Sequence, residues 1–328
     1  MLVTGANGAG KTNLLESLHV GTQGFSPRTR VDAQLVRIGA PGARIALEGT
    51  RGGRELQLEV ALRGHEGKRA KLNGAPLRSA EQLRTEVSTL VFTPDRLAVV
   101  KGGPAARRAY FDRALGRLLP GRATLPVDYA AAVGQRNAAL RRTALGLSSR
   151  AAVAPWTEQV AALGAELVAA REEAITVLSP AFAARAGELG LDDAALDYAG
   201  EPPSVERLEA RLDRDVERGV TGLGPHLDDV DVCSAGRDLR TFGSQGEQRL
   251  AVLSLLLAEA EVIAERRGTP PLVLLDDVLS ELDASRRRTL AERIGATGQT
   301  IVTATGAEAL PLDPALLLEV SPGEVRVA

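Results

Sequence analysis

A chain of 328 residues, 44% hydrophobic and 25% charged, has the balance of a soluble globular protein and is long enough for one large domain or two modest ones. No apolar run approaches the roughly 20 residues that cross a bilayer, and the first residues lack the basic and apolar regions of a signal peptide; a membrane role is excluded and a cytoplasmic location expected. A net charge of −2 excludes a global basic field, while a lone cysteine, Cys233, and three scattered histidines, His19, His65 and His226, exclude a disulfide scaffold and a soft-ligand zinc site.

Leu2-Val3-Thr4 is predicted to be a short strand, and Gly5-Ala6-Asn7-Gly8-Ala9-Gly10-Lys11-Thr12 after it satisfies G-x-x-x-x-G-K-[ST], the phosphate-binding loop. Its glycines let backbone N–H groups turn inward around a β-phosphate. Lys11 is suited to reach the β- and γ-phosphates, and the Thr12 hydroxyl to hold Mg²⁺. Asn13 continues into a predicted helix with Leu14, Leu15 and Leu18 on one side, its positive end directed at the nucleotide. Gly5, Ala6, Asn7, Gly8, Ala9, Gly10, Lys11, Thr12 and Asn13 are thus the expected ATP-binding residues. Only Met1 to Thr4 precede Gly5. Since a P-loop strand needs neighbours, either the true start lies upstream of Met1 or the sheet is left with an exposed edge.

From about Arg44 to Leu77 apolar and polar residues alternate, as in Arg54-Glu55-Leu56-Gln57-Leu58-Glu59-Val60, with turns at Arg51-Gly52-Gly53 and Asn73-Gly74. That pattern predicts antiparallel strands. Thr89 to Phe92 reads as another strand, ended by Thr93-Pro94. Pro104 to about Gly219 reads as helices; the last begins after Pro202-Pro203, repeats Val205, Leu208, Leu212 and Val216, and stops at Gly219. The final third returns to alternating helix and strand. There, Pro271-Leu272-Val273-Leu274-Leu275-Asp276-Asp277 has the continuous apolar run of a buried parallel strand ending in two acids, the Walker B partner a P-loop needs. Asp276 is expected to serve Mg²⁺ and Asp277 to be the catalytic acid that positions the attacking water.

Ser280-Glu281-Leu282-Asp283, just past Walker B, looks like the D-loop of ABC ATPases. Upstream, Ser244-Gln245-Gly246-Glu247 opens an apolar helix from Leu250 to Ile263. A Ser-x-Gly turn at a helix N-terminus can be an ordinary N-cap or an anion site. Its position shortly before Walker B favours the second reading: it resembles the ABC signature, which grips the γ-phosphate bound by a second subunit.

Larger blocks resemble the RecF family. They are Lys11-Thr12-Asn13-Leu14-Leu15-Glu16, Lys101-Gly102-Gly103-Pro104-Ala105-Ala106-Arg107-Arg108, Asp128-Tyr129 with Gln135-Arg136-Asn137-Ala138, Gly224-Pro225-His226-Leu227-Asp228-Asp229, Phe242 to Arg249, and Leu275 to Asp283. They cover nearly the whole chain in the family's order. The resemblance implies an α/β, ABC-type P-loop ATPase head like that of structural-maintenance-of-chromosomes (SMC) proteins, with an inserted helical lobe. The expected division is 1–105 for the first ATPase half, 106–219 for the helical lobe and 220–328 for the second half. The resemblance also implies ATP with Mg²⁺, an ATP-dependent homodimer, and action on double-stranded DNA and single-/double-strand junctions. RecR and RecO are implied as partners, with RecA served indirectly at gaps.

Departures from the family pattern bear on the chemistry. Leu227 stands where the family usually has Arg. Asp277 stands where most ABC ATPases have Glu, and Thr305 where they have a His on the next strand; the shorter acid and missing imidazole point to slow hydrolysis, a switch more than a motor. Asp95 falls where SMC relatives carry the Q-loop glutamine, a further candidate near the metal. Arg107, Arg108, Arg113, Arg117, Arg136, Arg141 and Arg142 are candidates for DNA phosphate contact, set against a solvated, ion-paired helix face. No base-reading helix or aromatic platform is present, so sequence readout is not expected. The rival readings are an SMC chromosome-organising head, which needs long heptads that are lacking, and a transporter's nucleotide-binding subunit, for which the separation of Thr12 from Ser244 is long.

Overall fold

The computed structural model describes residues 1–63, 67–296 and 298–328; His65 lies outside them. In chain order, β1 (Leu2–Thr4) leads into α1 (Lys11–Gln23), followed by β2 (Gly42–Arg51), β3 (Arg54–Arg63), β4 (Gly67–Leu72), β5 (Ala75–Pro76) and β6 (Thr89–Phe92). Then come α2 (Ala98–Lys101), α3 (Pro104–Leu118), α4 (Leu125–Ala144) and α5 (Ala154–Glu188). Next are β7 (Ala195–Asp197), α6 (Val205–Glu209), α7 (Leu212–Arg218), β8 (Asp231–Ser234), β9 (Arg237–Asp238) and α8 (Leu239–Phe242). The chain continues through α9 (Gln245–Arg267), β10 (Leu272–Leu275), α10 (Ala284–Ala296), β11 (Thr300–Ala304), β12 (Leu317–Ser321) and β13 (Glu324–Val327).

Two compact units result: Met1–Arg96 with Glu188–Gly190 and Leu253–Ala328, and Leu97–Gly187 with Leu191–Val252. This division differs from boundaries at 105/106 and 219/220. Residues 220–252, including the Ser244 turn, join the helical unit because β8 pairs with β7 and Arg107 of α3 is ion-paired to Asp229.

The first unit is built on a six-stranded sheet ordered β13-β12-β1-β11-β10-β6. Strands β12, β1, β11, β10 and β6 run parallel, and β13 returns antiparallel to β12. The central strands read as apolar runs because they are covered on both faces, and every residue of β11 is buried. Val3, Leu15, Val91, Leu274, Ile301 and Val320 form the core beneath α1, with Leu14 and Leu18 packed against it. The expected exposed edge at the P-loop strand is not found: β1 is hydrogen-bonded to β11 on one side and β12 on the other. Its neighbours come from the far end of the sequence, where local reading does not look.

A second, four-stranded sheet, β2-β3-β4-β5, carries the alternating segment. Leu58, Val60, Leu62 and Ala70 face its core, as the period of two requires. Gly52 and Gly53 link β2 to β3, and Asn73 with Gly74 links β4 to β5, each pair at positive φ as a tight hairpin turn demands.

The helical unit buries Leu115, Tyr129, Val133, Val160, Leu167 and Leu208 in one core. The helix expected over 205–219 is two short ones, α6 and α7, broken at Ala210 and Arg211. Ser204 caps the first by accepting the Arg207 N–H, and Gly219, at φ 66°, ends the second. β7 also interrupts the run that composition alone assigns to helices; it is held by β8, a non-local partner.

Candidate ATP site

The carboxyl ends of β1, β10, β11 and β6 open on the same edge of a parallel sheet, where open α/β sheets hold their ligands. From β1 the chain turns sharply through Gly5 to Gly10. Gly5 sits at φ 153°, and a Cβ there would collide with the Val320 carbonyl of β12, so no other residue fits. Gly10, at φ 111°, caps α1, whose first turn presents its free N–H groups to the loop. Lys11 is buried; its Nζ donates to the carbonyls of Gly5 at 2.6 Å and Ala6 at 3.0 Å. Those carbonyls hold the ammonium over the loop, where an incoming phosphate would compete for it.

Thr12 Oγ1 donates to Asp276 Oδ2 at 2.9 Å, joining the P-loop to the end of β10 across 264 positions of sequence. Asp276 is buried, and its other oxygen, Oδ1, accepts from Thr303 Oγ1 at 2.7 Å. Thr303 Oγ1 in turn accepts the Asp277 N–H at 2.9 Å. Leu275 is in register with Val302, which sets Thr303 beside Asp276. Asp277 is exposed and adopts φ 50°, one of four non-glycine residues at positive φ among those described. Its carbonyl accepts from Ser280 Oγ of the D-loop at 3.0 Å. The remaining D-loop residues, Glu281, Leu282 and Asp283, lead into α10, and Asp283 Oδ1 caps that helix at the Arg286 N–H. A Mg²⁺ ion fits this donor set, a hydroxyl and a carboxylate with no nitrogen or sulfur donor where Thr12 meets Asp276. Asp95 is exposed just beyond the end of β6, while Phe92 of that strand accepts the Asp276 N–H at 3.0 Å. Thr305 is exposed immediately after β11.

Sequence reasoning missed Thr303. A threonine in an apolar strand carries no motif of its own; the one signal was a buried hydroxyl in a parallel strand next to Walker B, which must find a polar partner.

In the second unit the Ser244–Glu247 turn is a reciprocal capping box. Ser244 Oγ accepts the Glu247 N–H at 3.2 Å, and Glu247 Oε2 accepts the Ser244 N–H at 2.7 Å. The Ser244 N–H holds the Glu247 carboxyl below the usual carboxylate range. Ser244, Gln245 and Gly246 are exposed, and the Ser244 hydroxyl proton and the Gln245 and Gly246 N–H groups stay outside the box. Buried Gln248 anchors the turn from below, donating to the Leu239 and Gly243 carbonyls.

The arginine candidates divide. Arg107 and Arg136 are not surface residues, which corrects their expected role on DNA. Arg107 is 2% exposed, with its guanidinium on both Asp229 oxygens and on the Val100 and Gly102 carbonyls. Burial pushes the Asp229 carboxyl up, and the Arg107 guanidinium and Val230 N–H outweigh it, leaving the group below its ordinary value. Arg136 is 0% exposed and donates to Asp215, Thr221, Thr157 and the Leu208 carbonyl. Each guanidinium makes four hydrogen bonds inside the core for its five N–H donors, and its burial keeps it from a phosphate. Arg108 is half-buried and bonded to the Asp228 carbonyl; Arg141 and Arg142 are exposed near the end of α4, with Arg141 donating to the Gly219 carbonyl at 3.3 Å. The Gly224–Asp229 block is held from several sides: Arg171 reaches the Pro225 carbonyl, Tyr129 and the Thr221 carbonyl hold His226, and Tyr198 donates to Asp228. Leu227, 56% exposed, projects from it.

A P-loop strand separated from the Walker B strand by one further strand, a D-loop after Walker B and a signature-like turn before it define an ABC-type ATPase head of the SMC class. Residues 1–312 match the family described as RecF/RecN/SMC N terminal domain. The DNA replication and repair protein RecF of Heliobacterium modesticaldum is 37% identical over 320 residues, covering 93% of this chain and 86% of that protein. Its namesake from Synechococcus sp. is 35% identical over 345 residues, covering 99% and 90%. The solved recombination mediator protein RecF-ATPrS of the RecFOR pathway matches with a TM-score of 0.88 at 26% identity, covering 99% of this chain and 91% of that one. An SMC head domain from Pyrococcus furiosus, at TM-score 0.58 and 16% identity over 100% and 89%, shares the fold alone. The chain belongs to the RecF family.

Proposed function

We propose that this protein binds and slowly hydrolyses ATP, dimerises when ATP is bound, and in that state binds DNA in replication and recombinational repair. The observation that carries the reading is the joined constellation of Lys11 in its cradle, Thr12 on Asp276, and Asp277 beside them, in a chain that belongs to the RecF family. In action, Gly5 to Thr12 wrap the phosphates with backbone N–H groups, and Asn13 continues the helix behind them. Lys11 leaves its two carbonyls for the β- and γ-phosphates. Thr12 and Asp276 would hold Mg²⁺, which when bound offsets phosphate charge. Asp277 orients the attacking water and accepts its proton. Turnover is slow because the acid is short and Thr305 offers no imidazole.

Membership in the RecF family, whose solved member carries its name within the RecFOR pathway, favours a mediator role over an SMC organiser or a transporter subunit. RecR and RecO are the partners we propose, acting with this protein to place RecA at gapped DNA. No helix of the described residues is long and apolar enough to cross a membrane; a cytoplasmic location is part of the proposal because the DNA and partners it names are there.

The signature turn acts in trans: Ser244 to Glu247 grip the γ-phosphate held by the partner's P-loop, so each ATP site is composite. Ser244→Arg therefore leaves ATP binding by the monomer intact and blocks dimerisation, while Lys11→Ala loses ATP. Light scattering of the two variants mixed should recover some ATP-dependent dimer, through one intact composite site. Full ATP-dependent dimerisation of Ser244→Arg alone would remove the signature assignment. For DNA, ATP-dependent affinity is compared on duplex, gapped and single-stranded oligonucleotides; affinity indifferent to ATP on all three would sink the mediator reading.

A further inference from the structure

We propose that Thr303 is a positioning residue of the ATP site, whose single hydroxyl sets both the metal-binding carboxylate and the catalytic acid. The inference rests on the ATPase reading above and adds a residue that no motif assigns. The hydroxyl has one proton and accepting lone pairs, and both functions are used on the site. Its proton goes to Asp276 Oδ1 at 2.7 Å, and its oxygen takes the Asp277 N–H at 2.9 Å. The first bond leaves Asp276 Oδ2 directed at Thr12, whose hydroxyl lies 2.9 Å away. The second fixes the peptide that enters the left-handed turn at Asp277, φ 50°, while Ser280 Oγ of the D-loop holds the carbonyl on its far side. Thr303 is 0% exposed, so no water substitutes for it. The metal-binding carboxylate and the peptide that carries Asp277 are thereby tied to one atom of β11, and the Asp276 carboxylate cannot rotate without breaking its bond to that atom.

Such supporting partners of a metal ligand typically change metal affinity or activity by about 10–100-fold when removed. Thr303→Val keeps the shape and β-branching and removes only the hydroxyl. Its affinity for a fluorescent ATP analogue in EDTA should stay within about twofold of wild type, because Lys11 and the loop N–H groups are untouched. The gain in affinity on adding Mg²⁺ should shrink, with the half-saturating Mg²⁺ concentration raised about tenfold or more. At saturating Mg²⁺ and ATP, kcat should remain at least about tenfold low with KM little changed, because the Asp277 turn has lost its anchor. Thr303→Ser, which restores the hydroxyl without the methyl, should recover both the Mg²⁺ response and kcat. A Val variant with wild-type Mg²⁺ response and kcat overturns the proposal. So does a Ser variant as impaired as Val is expected to be, since packing and not the hydroxyl would then matter; this arm decides the question if the Val chain does not fold. Wild type is the control for the underlying reading: if it shows no Mg²⁺-dependent nucleotide binding or hydrolysis, the ATPase assignment fails, not the role of Thr303 within it.

Discussion

Left-handed backbone costs most residues about 1–2 kcal/mol, and aspartate and asparagine tolerate it best because their short side chains bond locally. Asp277 stands in that conformation at φ 50°, which gives a physical reason for the shorter acid at a position where glutamate is usual in ABC ATPases. Asp277→Asn should be a clean variant, because asparagine accepts the same φ and loses only the charge. We expect it to bind ATP, to dimerise, to melt within a degree or two of wild type (about 0.5 kcal/mol or less), and to lose hydrolysis. Phosphate release at saturating ATP tests this, and wild-type turnover would reassign the catalytic acid. Asp277→Glu should be less stable by about 1 kcal/mol, because glutamate tolerates left-handed backbone less well than aspartate.

The helices of the second unit are held by buried ion pairs as well as by apolar packing. Arg136 of α4 binds Asp215 of α7 at 2.8 Å, and Arg171 of α5 binds Asp112 of α3 through two bonds of 2.8 and 3.0 Å. Removing one member of a fully buried pair leaves the other charge without a partner, at a cost of about 3–5 kcal/mol. Arg136→Met should therefore lower the urea midpoint of unfolding sharply, and any loss of DNA affinity should be accounted for by the unfolded fraction. The exposed pair Arg141 and Arg142 should behave in the opposite way. Their double alanine variant gives up one bond, from Arg141 to the Gly219 carbonyl, and should unfold within about 1 kcal/mol of wild type; it should bind duplex DNA more weakly and reduce the slope of log K against log salt by about 0.9 for each phosphate no longer neutralised. An unchanged salt slope would take both residues off the DNA surface.

Stability of the folded chain should also depend on pH through His226. Burial lowers its pKa, the Thr221 carbonyl opposes that, Arg108 adds to it, and Asp228 and Asp215 oppose it; the net direction is downward from 6.5. Tyr129 Oη and the Thr221 carbonyl, at 2.8 and 2.9 Å, suit a neutral ring that accepts at Nδ1 and donates from Nε2. Because the folded pKa lies below the unfolded value, the unfolded chain binds the proton more readily. This contribution to stability is full above pH 6.5 and is lost as pH falls from there through the folded pKa. Urea midpoints measured between about pH 8 and pH 5.5 should fall for wild type and fall less steeply for His226→Gln. Equal slopes would show that His226 is not the group responsible.

The P-loop, the Walker B acids, the hairpin turns at Gly52-Gly53 and Asn73-Gly74 and the strand at Thr89–Phe92 were legible in the sequence. Each is set by neighbouring residues: which positions tolerate positive φ, which donate backbone N–H groups, which alternate with the period of a strand. Tertiary structure decided the rest. Whether an arginine meets solvent or an aspartate depends on segments far away, as with Arg107 and Asp229 or Arg136 and Asp215, and helical periodicity cannot see them. β1 gains its second neighbour from β12, more than 300 residues downstream, so its short N-terminal lead told nothing of its pairing. Thr303 acquires its role only when register sets β11 against β10, because a hydroxyl's function is defined by what it is packed against and not by the residues beside it in the chain.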